Sequence, residues 1–212
     1  ELGGEVLDCP TGGNGTWVVS SGGVIDGLEI GIYDKNHVKQ KERYVGEIGI
    51  RGDFLFDGYF GLEELTRERI VDSVYFTRDI GFIDNGQLFV LGRVDDMIII
   101  QGRNIYSHQI EELLSSIDGI KPGRSCAFGM FDDRSGSEAL YIICEEEVQG
   151  TGKSKIEEIK RNVRELVFSH LLIAPKEIQI VPQKWLMKTS SGKIGRKENK
   201  AKFLREKHGG TK

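Results

Sequence analysis

The sequence is poor in the residues that build metal sites and disulfide frameworks, with three cysteines and four histidines among 212 residues. Cys9, Cys126 and Cys144 show no C-x-x-C spacing, and the histidines are scattered without metal-ligand spacing. We therefore expect no zinc site, no other metal-binding residue and no disulfide. Cys126 and Cys144 lie in apolar runs, where a thiol usually behaves as a small buried hydrophobic group.

Long apolar stretches are missing as well. No run approaches the ~18 residues of a membrane span, and no charged segment precedes an apolar one at the start. Together with reduced cysteines, this favours a cytoplasmic protein without a membrane span. With 38% hydrophobic and 29% charged residues, the chain has the composition of an ordinary globular protein. It begins with Glu1 rather than Met, which suggests a piece of a longer protein.

Several catalytic signatures are absent. The sequence has no G-x-S-x-G nucleophile elbow and no plausible paired-carboxylate cleft, so nothing in it favours a hydrolase. A phosphate-binding P-loop around Gly192-Lys193 would need Gly where Met187 stands and Ser or Thr where Ile194 stands. This excludes the P-loop interpretation.

Proline is scarce and glycine abundant, at 4 and 28 residues, so that about 13% of the chain is glycine against a usual ~7%. Many turns with positive φ are expected. The net charge of −4 hides an asymmetry: residues 184–212 hold ten basic and two acidic residues (+8), which leaves 19 basic and 31 acidic residues (−12) elsewhere. This basic end indicates either an anionic partner or a solvated, lysine-rich terminal helix.

Two kinds of secondary-structure pattern follow one another. Before Gly92, short apolar runs between turns predict a mostly β unit, with strands over 16–19, 28–33, 47–51 and 87–91, a turn at 84–86 and a helix over 62–71. After Gly92, the patterns predict strands over 98–100, 124–131, 139–145 and 176–181, and helices over 110–117 and 156–167. A polar loop and a basic terminal helix follow them. This order predicts an α+β fold, with about three strands covered by helices in a small second domain.

Three residues are candidates for chemistry. Lys193 ends a small, hydroxyl-rich loop that could carry a mobile cation to a phosphate or an oxyanion. Asp79 and Arg93, both expected at strand ends, could bind the hydroxyls of a sugar. Taken singly, these residues are better explained as a solvated surface lysine and a surface ion pair.

Five segments in one order carry a family resemblance. They are similar to the motifs G-E-[IL]…G…G-Y, aromatic-x-T-G-D-x-G-[FY], G-R-x-[DK]-[DE], G-R-N-x-Y-P-x-[DE]-I-E and T-x-S-G-K-[IL]-x-R of adenylate-forming enzymes. In this chain they span residues 46–59, 75–82, 92–96, 102–111 and 189–196. The chain thus resembles the C-terminal third of this superfamily, which includes acyl-CoA synthetases, fatty acyl-AMP ligases and nonribosomal peptide adenylation domains.

The resemblance implies a role for each candidate. Asp79 would accept hydrogen bonds from the ribose hydroxyls of ATP or AMP, and Arg93 would support the same nucleotide. Lys193 would be the catalytic residue that neutralises charge between the substrate carboxylate and the α-phosphate. The implied reaction uses ATP with Mg²⁺ to form an acyl-adenylate and pyrophosphate, after which a thiol displaces AMP.

The resemblance also implies a domain organisation. Residues 1–91 would end the large adenylation domain, 92–95 would be a hinge centred on Asp95, and 96–212 would form a lid domain. Gly102 and Arg103 would line the passage of the pantetheine arm of CoA or of an acyl carrier protein. The family's Ser/Thr/Gly-rich phosphate loop and Y-G-x-T-E segment are not in the sequence, so this chain alone is expected to be inactive.

Two departures and two alternatives complete the interpretation. Arg78 stands where the family has Gly in T-G-D, and Ser107 replaces a Pro as an expected helix N-cap.

Within the superfamily, the motifs look most like fatty acyl-AMP ligases, which act on fatty acids and serve acyl carrier proteins. The alternatives are a long-chain fatty acyl-CoA synthetase that uses CoA and a non-catalytic module that docks an acidic carrier protein. No nucleic-acid partner is expected.

Overall fold

The computed structural model describes residues 3–8 and 17–209 and divides the chain into two compact units, Glu1–Asp95 and Asp96–Lys212. Cys9, expected to be a reduced thiol, lies outside the described residues. The division adjoins the predicted joint over 92–95. That this joint acts as a hinge stays a prediction.

The first unit is built on a six-stranded antiparallel sheet. Its elements are β1 (Ser20–Gly23), β2 (Leu28–Tyr33), β3 (Gly46–Gly52), α1 (Glu63–Arg69), β4 (Ile70–Val71), β5 (Val74–Asp84) and β6 (Gln87–Arg93). The strand order is β1-β6-β5-β3-β2, with β4 paired to β5.

Two predictions for this unit are wrong in detail. The described residues 17–19 of the strand expected over 16–19 are irregular, and the first strand begins at Ser20. The helix expected over 62–71 ends at Arg69, because the β-branched pair Ile70 and Val71 turns back and pairs with β5.

The turn predicted at 84–86 is confirmed and sets the register of the functional strands. Asn85 and Gly86 both adopt positive φ, 49° and 71°, as a two-residue hairpin turn with the twist of its strands requires. From this turn the pairing of β5 with β6 brings Asp79 opposite Arg93.

The second unit is a three-stranded sheet, β11-β10-β9, with helices on both faces and a separate hairpin. Its elements are a 3-10 turn (Val94–Asp96, shared with the first unit), β7 (Met97–Ile100), β8 (Arg103–Tyr106), α2 (Ser107–Leu114), β9 (Ile120–Asp132), β10 (Ser137–Glu146), α3 (Lys153–Leu171), β11 (Glu177–Val181) and α4 (Arg196–Gly209). Helix α3 connects β10 to the parallel strand β11. The predicted α+β fold class and three-stranded sheet are confirmed.

Strand β10 separates two apolar cores, because successive side chains of a strand point to opposite faces. Leu140 and Ile142 join the core with the buried residues of α2 and α3. Tyr141 and Ile143 join the core with Phe203 of α4. The basic terminal helix is therefore anchored to the sheet by its apolar residues rather than being a detached, solvated tail.

The two described cysteines lie on opposite faces of this sheet. Cys126 and Cys144 are both fully buried and free, as predicted. Burial raises the pKa of the Cys144 thiol to about 12 and also raises that of Cys126. Both thiols are therefore protonated and unreactive at neutral pH.

Candidate functional site

Asp79 and Arg93 meet across adjacent strands on the surface of the first unit. Arg93 Nε lies 3.2 Å from Asp79 Oδ1, and the side chains are 55% and 42% exposed. Arg93 ends β6 as expected, but Asp79 lies within β5 rather than at its end. The expectation for Asp79 is wrong because β5 continues as far as the hairpin turn. An exposed pair of this kind adds at most about 1 kcal/mol to stability.

A threonine that the sequence analysis did not single out supports Asp79. Thr77 Oγ1 donates to the Ile48 carbonyl on β3 at 2.9 Å and accepts the Asp79 backbone N–H at 3.0 Å. The hydroxyl thereby fixes the backbone next to the carboxylate. Its place in the T-x-D segment is the only sequence signal for this role.

Arg78 adopts the left-handed conformation that a glycine would take most easily, with φ of 67°. Its backbone N–H donates to Glu47 Oε1 at 2.8 Å, and its guanidinium binds Asp95 Oδ1 at 2.7 Å. Arg78 therefore carries a backbone cost that Gly would not carry, and two polar contacts offset it.

Gly102 and Arg103 lie at the tip of the hairpin formed by β7 and β8. Gln101 and Gly102 form its turn with φ of 50° and 78°, and open space lies where a Gly102 Cβ would point. Arg103 Nη1 donates to the Leu171 carbonyl at 2.8 Å, at the C-terminal end of α3, where a cation is favourable. Arg103 thus has a role in the fold, and the pantetheine role of both residues stays a prediction.

Lys193 projects from a closed loop between β11 and α4. The base of the loop is an antiparallel bridge between Lys188 and Ile194, and the Thr189 N–H donates to the Lys193 carbonyl at 2.8 Å. Gly192 provides the positive φ of 82° that the turn needs. The Lys193 side chain is exposed and makes no contact among the described residues. The loop therefore presents a solvent-facing cation on a backbone of defined shape.

Asn199 fixes the base of this loop by hydrogen bonds to the backbone of the residues that flank it. It is fully buried on α4, accepts the Met187 N–H at 2.8 Å and donates to the Met187 and Gly195 carbonyls, each at 2.9 Å. Sequence reasoning missed it because a lone Asn in a basic helix normally indicates a solvated face.

We expect Asn199→Ala to lower the free energy of unfolding by about 2 to 3 kcal/mol, because buried polar groups lose their partners. Urea unfolding of the chain measures this loss. Lys197→Ala, an exposed substitution on the same helix, should change stability by less than about 0.5 kcal/mol. Equal stability of the two variants would show that Asn199 does not fasten the loop.

A buried ion pair fixes the segment that enters the loop. Arg124 donates from Nε to Glu145 Oε2 at 2.7 Å and from Nη2 to the Leu186 carbonyl at 2.9 Å. Glu145 also accepts the Leu186 N–H at 2.8 Å. Burial alone would raise the pKa of Glu145, but Arg124 and the backbone donors outweigh it and lower that pKa.

The described residues contain neither a metal-binding cluster nor a membrane-spanning helix. No cluster of three or more His, Cys, Asp or Glu side chains among residues 3–8 and 17–209 could hold a metal ion. Within the same residues, no helix is both long and apolar enough to cross a membrane.

Many known proteins match the chain, although no protein-family model does. The chain is 35% identical over 164 residues to a 2-succinylbenzoate–CoA ligase of Listeria monocytogenes, covering 77% of this chain and 32% of the relative. It is 29% identical to a medium-chain-fatty-acid–[acyl-carrier-protein] ligase of Moorena producens, covering 89% and 33%.

A solved structure, McyG A-PCP complexed with phenylalanyl-adenylate, matches the fold with a TM-score of 0.80 and 30% identity over 89% of this chain and 34% of that one. The chain spans about a third of the length of the curated relatives it matches. The sequence of the chain, its fold and the order of its motifs all indicate the same superfamily. The chain belongs to the superfamily of adenylate-forming, AMP-binding ligases.

Proposed function

We propose that this chain is the lysine-bearing part of an ATP-dependent ligase that activates a fatty acid as an acyl-adenylate and transfers the acyl group to the pantetheine thiol of an acyl carrier protein. The observation that supports this most is the exposed Lys193 on a loop fastened from below by the buried Asn199. A long cation with a fixed base and a free tip suits a charge that must reach a phosphate.

In the first step, the fatty-acid carboxylate oxygen attacks the α-phosphorus of ATP. The bond from that phosphorus to the bridging oxygen breaks, and pyrophosphate leaves with the electron pair. Lys193 Nζ offsets the negative charge that gathers between carboxylate and phosphate.

Nucleotide binding is assigned to the Asp79 and Arg93 pair. One Asp79 oxygen is engaged by Arg93, and the exposed carboxylate retains capacity to accept two vicinal hydroxyl groups, as a ribose presents.

In the second step, the pantetheine sulfur attacks the acyl carbonyl carbon, the thiol gives up its proton, and AMP leaves with the oxygen of the former mixed anhydride.

The basic end supports an acidic acceptor. Lys200 and Lys202 donate to backbone carbonyls, and Lys207 pairs with Glu177, so part of the positive charge serves the fold. The side chains of four other cations are exposed and form no ion pair among the described residues, and these are Lys184, Lys188, Lys197 and Arg205. These exposed charges favour an acidic carrier protein as partner, and its binding should weaken with salt. The alternative acceptor is CoA.

A hybrid ligase tests the acceptor. In it, this chain replaces the matching third of the Moorena ligase, and a second hybrid uses the Listeria CoA ligase as host. After loading with the preformed acyl-adenylate of each host's substrate, both hybrids should release AMP at least about 10-fold faster with holo carrier protein than with CoA. Preference for CoA in both would favour the acyl-CoA synthetase. If neither hybrid forms or discharges adenylate but the chain still binds carrier protein, the docking module would be favoured.

A further inference from the structure

Two consecutive aspartates lie on either side of the division between the compact units, and each is held by an arginine of its own unit. Asp95 ends the first unit and pairs with Arg78, and Asp96 begins the second unit and pairs with Arg196. The motif comparison gave no role to either arginine. Their placement shows that the chain is anchored immediately before and immediately after one peptide bond.

On the first side, the geometry of Arg78 differs from that of a casual surface pair. Arg78 Nη2 lies 2.7 Å from Asp95 Oδ1, and the two side chains are 29% and 27% exposed. The hydrogen bond with Asp95 and its charge raise the pKa of Arg78. The Nε atom of the Arg78 guanidinium is buried without a hydrogen-bond partner, and the backbone φ of Arg78 is positive. These costs are sustained only where the remaining contacts hold the side chain in place.

On the second side, Arg196 makes a forked contact. It donates from Nη1 to Asp96 Oδ2 at 2.7 Å and from Nε to Glu111 Oε1 at 2.9 Å, while Nη2 binds Glu111 Oε2. The Asp96 carbonyl also accepts the Ser107 hydroxyl at 2.8 Å, and Ser107 is the first residue of α2. The expectation that Ser107 caps the helix is therefore wrong, because its hydroxyl binds Asp96 instead.

Arg196 also closes the Lys193 loop. It is the first residue of α4, and it follows the buried Gly195, whose carbonyl is bound by Asn199. Burial opposes the charge of Arg196, but Glu111 and Asp96 outweigh it and raise the pKa of the guanidinium. One permanently charged side chain therefore ties the start of the second unit to the base of the loop.

We propose that Arg78 and Arg196 are positioning residues that anchor the chain on either side of the Asp95–Asp96 peptide. A change in orientation between the units is then concentrated in the dihedral angles around that peptide. Arg196 in addition keeps Lys193 at a fixed distance from this pivot. The consequence for catalysis rests on the proposed function, but the anchoring itself does not.

The anchoring is tested by ¹⁵N relaxation of the 212-residue chain. In the parent, the amides of Val94, Asp95, Asp96 and Met97 should have order parameters near about 0.85. Arg78→Gly, which restores the family residue and tolerates the positive φ, should lower those of Val94 and Asp95 below about 0.6. Arg196→Gln and Asp96→Asn, which remove the charge from one or the other partner of the same ion pair, should lower those of Asp96 and Met97.

Control variants break ion pairs away from the joint. Arg43→Gln removes the contact with Asp84 in the first unit, and Lys155→Gln removes the contact with Asp118 in the second. Neither should change the order parameters of residues 94–97. Unchanged values in folded Arg78→Gly, Arg196→Gln and Asp96→Asn would overturn the proposal.

The catalytic consequence is read in the Moorena hybrid. When the backbone around the Asp95–Asp96 peptide is more flexible, the orientation of the two units that permits reaction is less populated. Arg78→Gly should therefore lower the kcat of adenylation about 10-fold with little change in KM for ATP. Arg196→Lys should retain more activity than Arg196→Gln. An unchanged kcat in Arg78→Gly, Arg196→Lys and Arg196→Gln would contradict the positioning role of the two arginines. An inactive parent hybrid would count against the proposed function and leave the relaxation result standing.

Discussion

Replacing Lys193 with alanine is expected to slow acyl-adenylate formation by about 100- to 1,000-fold in the Moorena hybrid, the scale of losing one preorganised charge-stabilising group. The lysine side chain is exposed and makes no contact among the described residues, so its removal should leave the fold intact. ATP–pyrophosphate exchange with a medium-chain fatty acid measures this step.

The transfer half-reaction and a neighbouring lysine serve as controls. Transfer from preformed acyl-adenylate should be nearly unchanged in Lys193→Ala, because in that step the thiol attacks the acyl carbon rather than the α-phosphorus. Lys188→Ala changes an exposed lysine of the same loop, whose backbone pairs with Ile194, and should leave both half-reactions within about 3-fold of the parent. Equal loss of adenylation and transfer in Lys193→Ala would contradict the assigned role.

Replacing Glu145 with alanine is expected to lower the free energy of unfolding by about 3 to 5 kcal/mol, because it leaves the Arg124 guanidinium buried without its carboxylate. The side chains of Arg124 and Glu145 are 14% and 1% exposed. Urea unfolding of the 212-residue chain measures the loss. The pair Glu145→Leu with Arg124→Met should recover most of it, since no charge then remains buried.

An exposed ion pair provides the comparison for Glu145. Glu157→Ala breaks the contact with Lys160 on the surface of α3 and should cost less than about 0.5 kcal/mol. If Glu145→Ala cost no more than Glu157→Ala, the buried pair would not hold the segment that enters the Lys193 loop.

The pH dependence of this effect has a defined sign. The pKa of Glu145 is lowered by folding, so its ionised form contributes stability above the ordinary glutamate value of 4.5. That contribution is lost as the pH falls through the lowered pKa. The difference in unfolding free energy between the parent and Glu145→Gln should therefore be constant near neutral pH and shrink in acid. A difference that grew on acidification would contradict the lowered pKa.

Local patterns in the sequence were sufficient for much of the fold. The Asp84-Asn85-Gly86 turn predicted the hairpin that sets β5 against β6, because positive φ at two adjacent residues is a local requirement. The helical periodicity over 156–167 predicted α3, which the structure extends to Lys153–Leu171. The Gly192-Lys193 pair located the loop that bears the candidate catalytic cation.

The contacts that hold the candidate site in place could not be predicted, because they join residues far apart in sequence. Arg196 lies 85 residues from Glu111 and 100 from Asp96. Asn199 and Arg124 act on the loop through the backbone groups of Met187 and Leu186, and backbone groups leave no signature in a sequence. The departure at Arg78 was visible, but its ion pair with Asp95 depends on how β5 packs in three dimensions.

The most direct test is ATP–pyrophosphate exchange in the Moorena host with its matching third removed and this chain supplied in its place. The truncated host alone and the 212-residue chain alone should each show only background exchange. The folded hybrid should restore exchange that requires both a medium-chain fatty acid and Lys193. A folded hybrid with no exchange above the truncated host would contradict the claim that this chain is the lysine-bearing part of an adenylate-forming ligase.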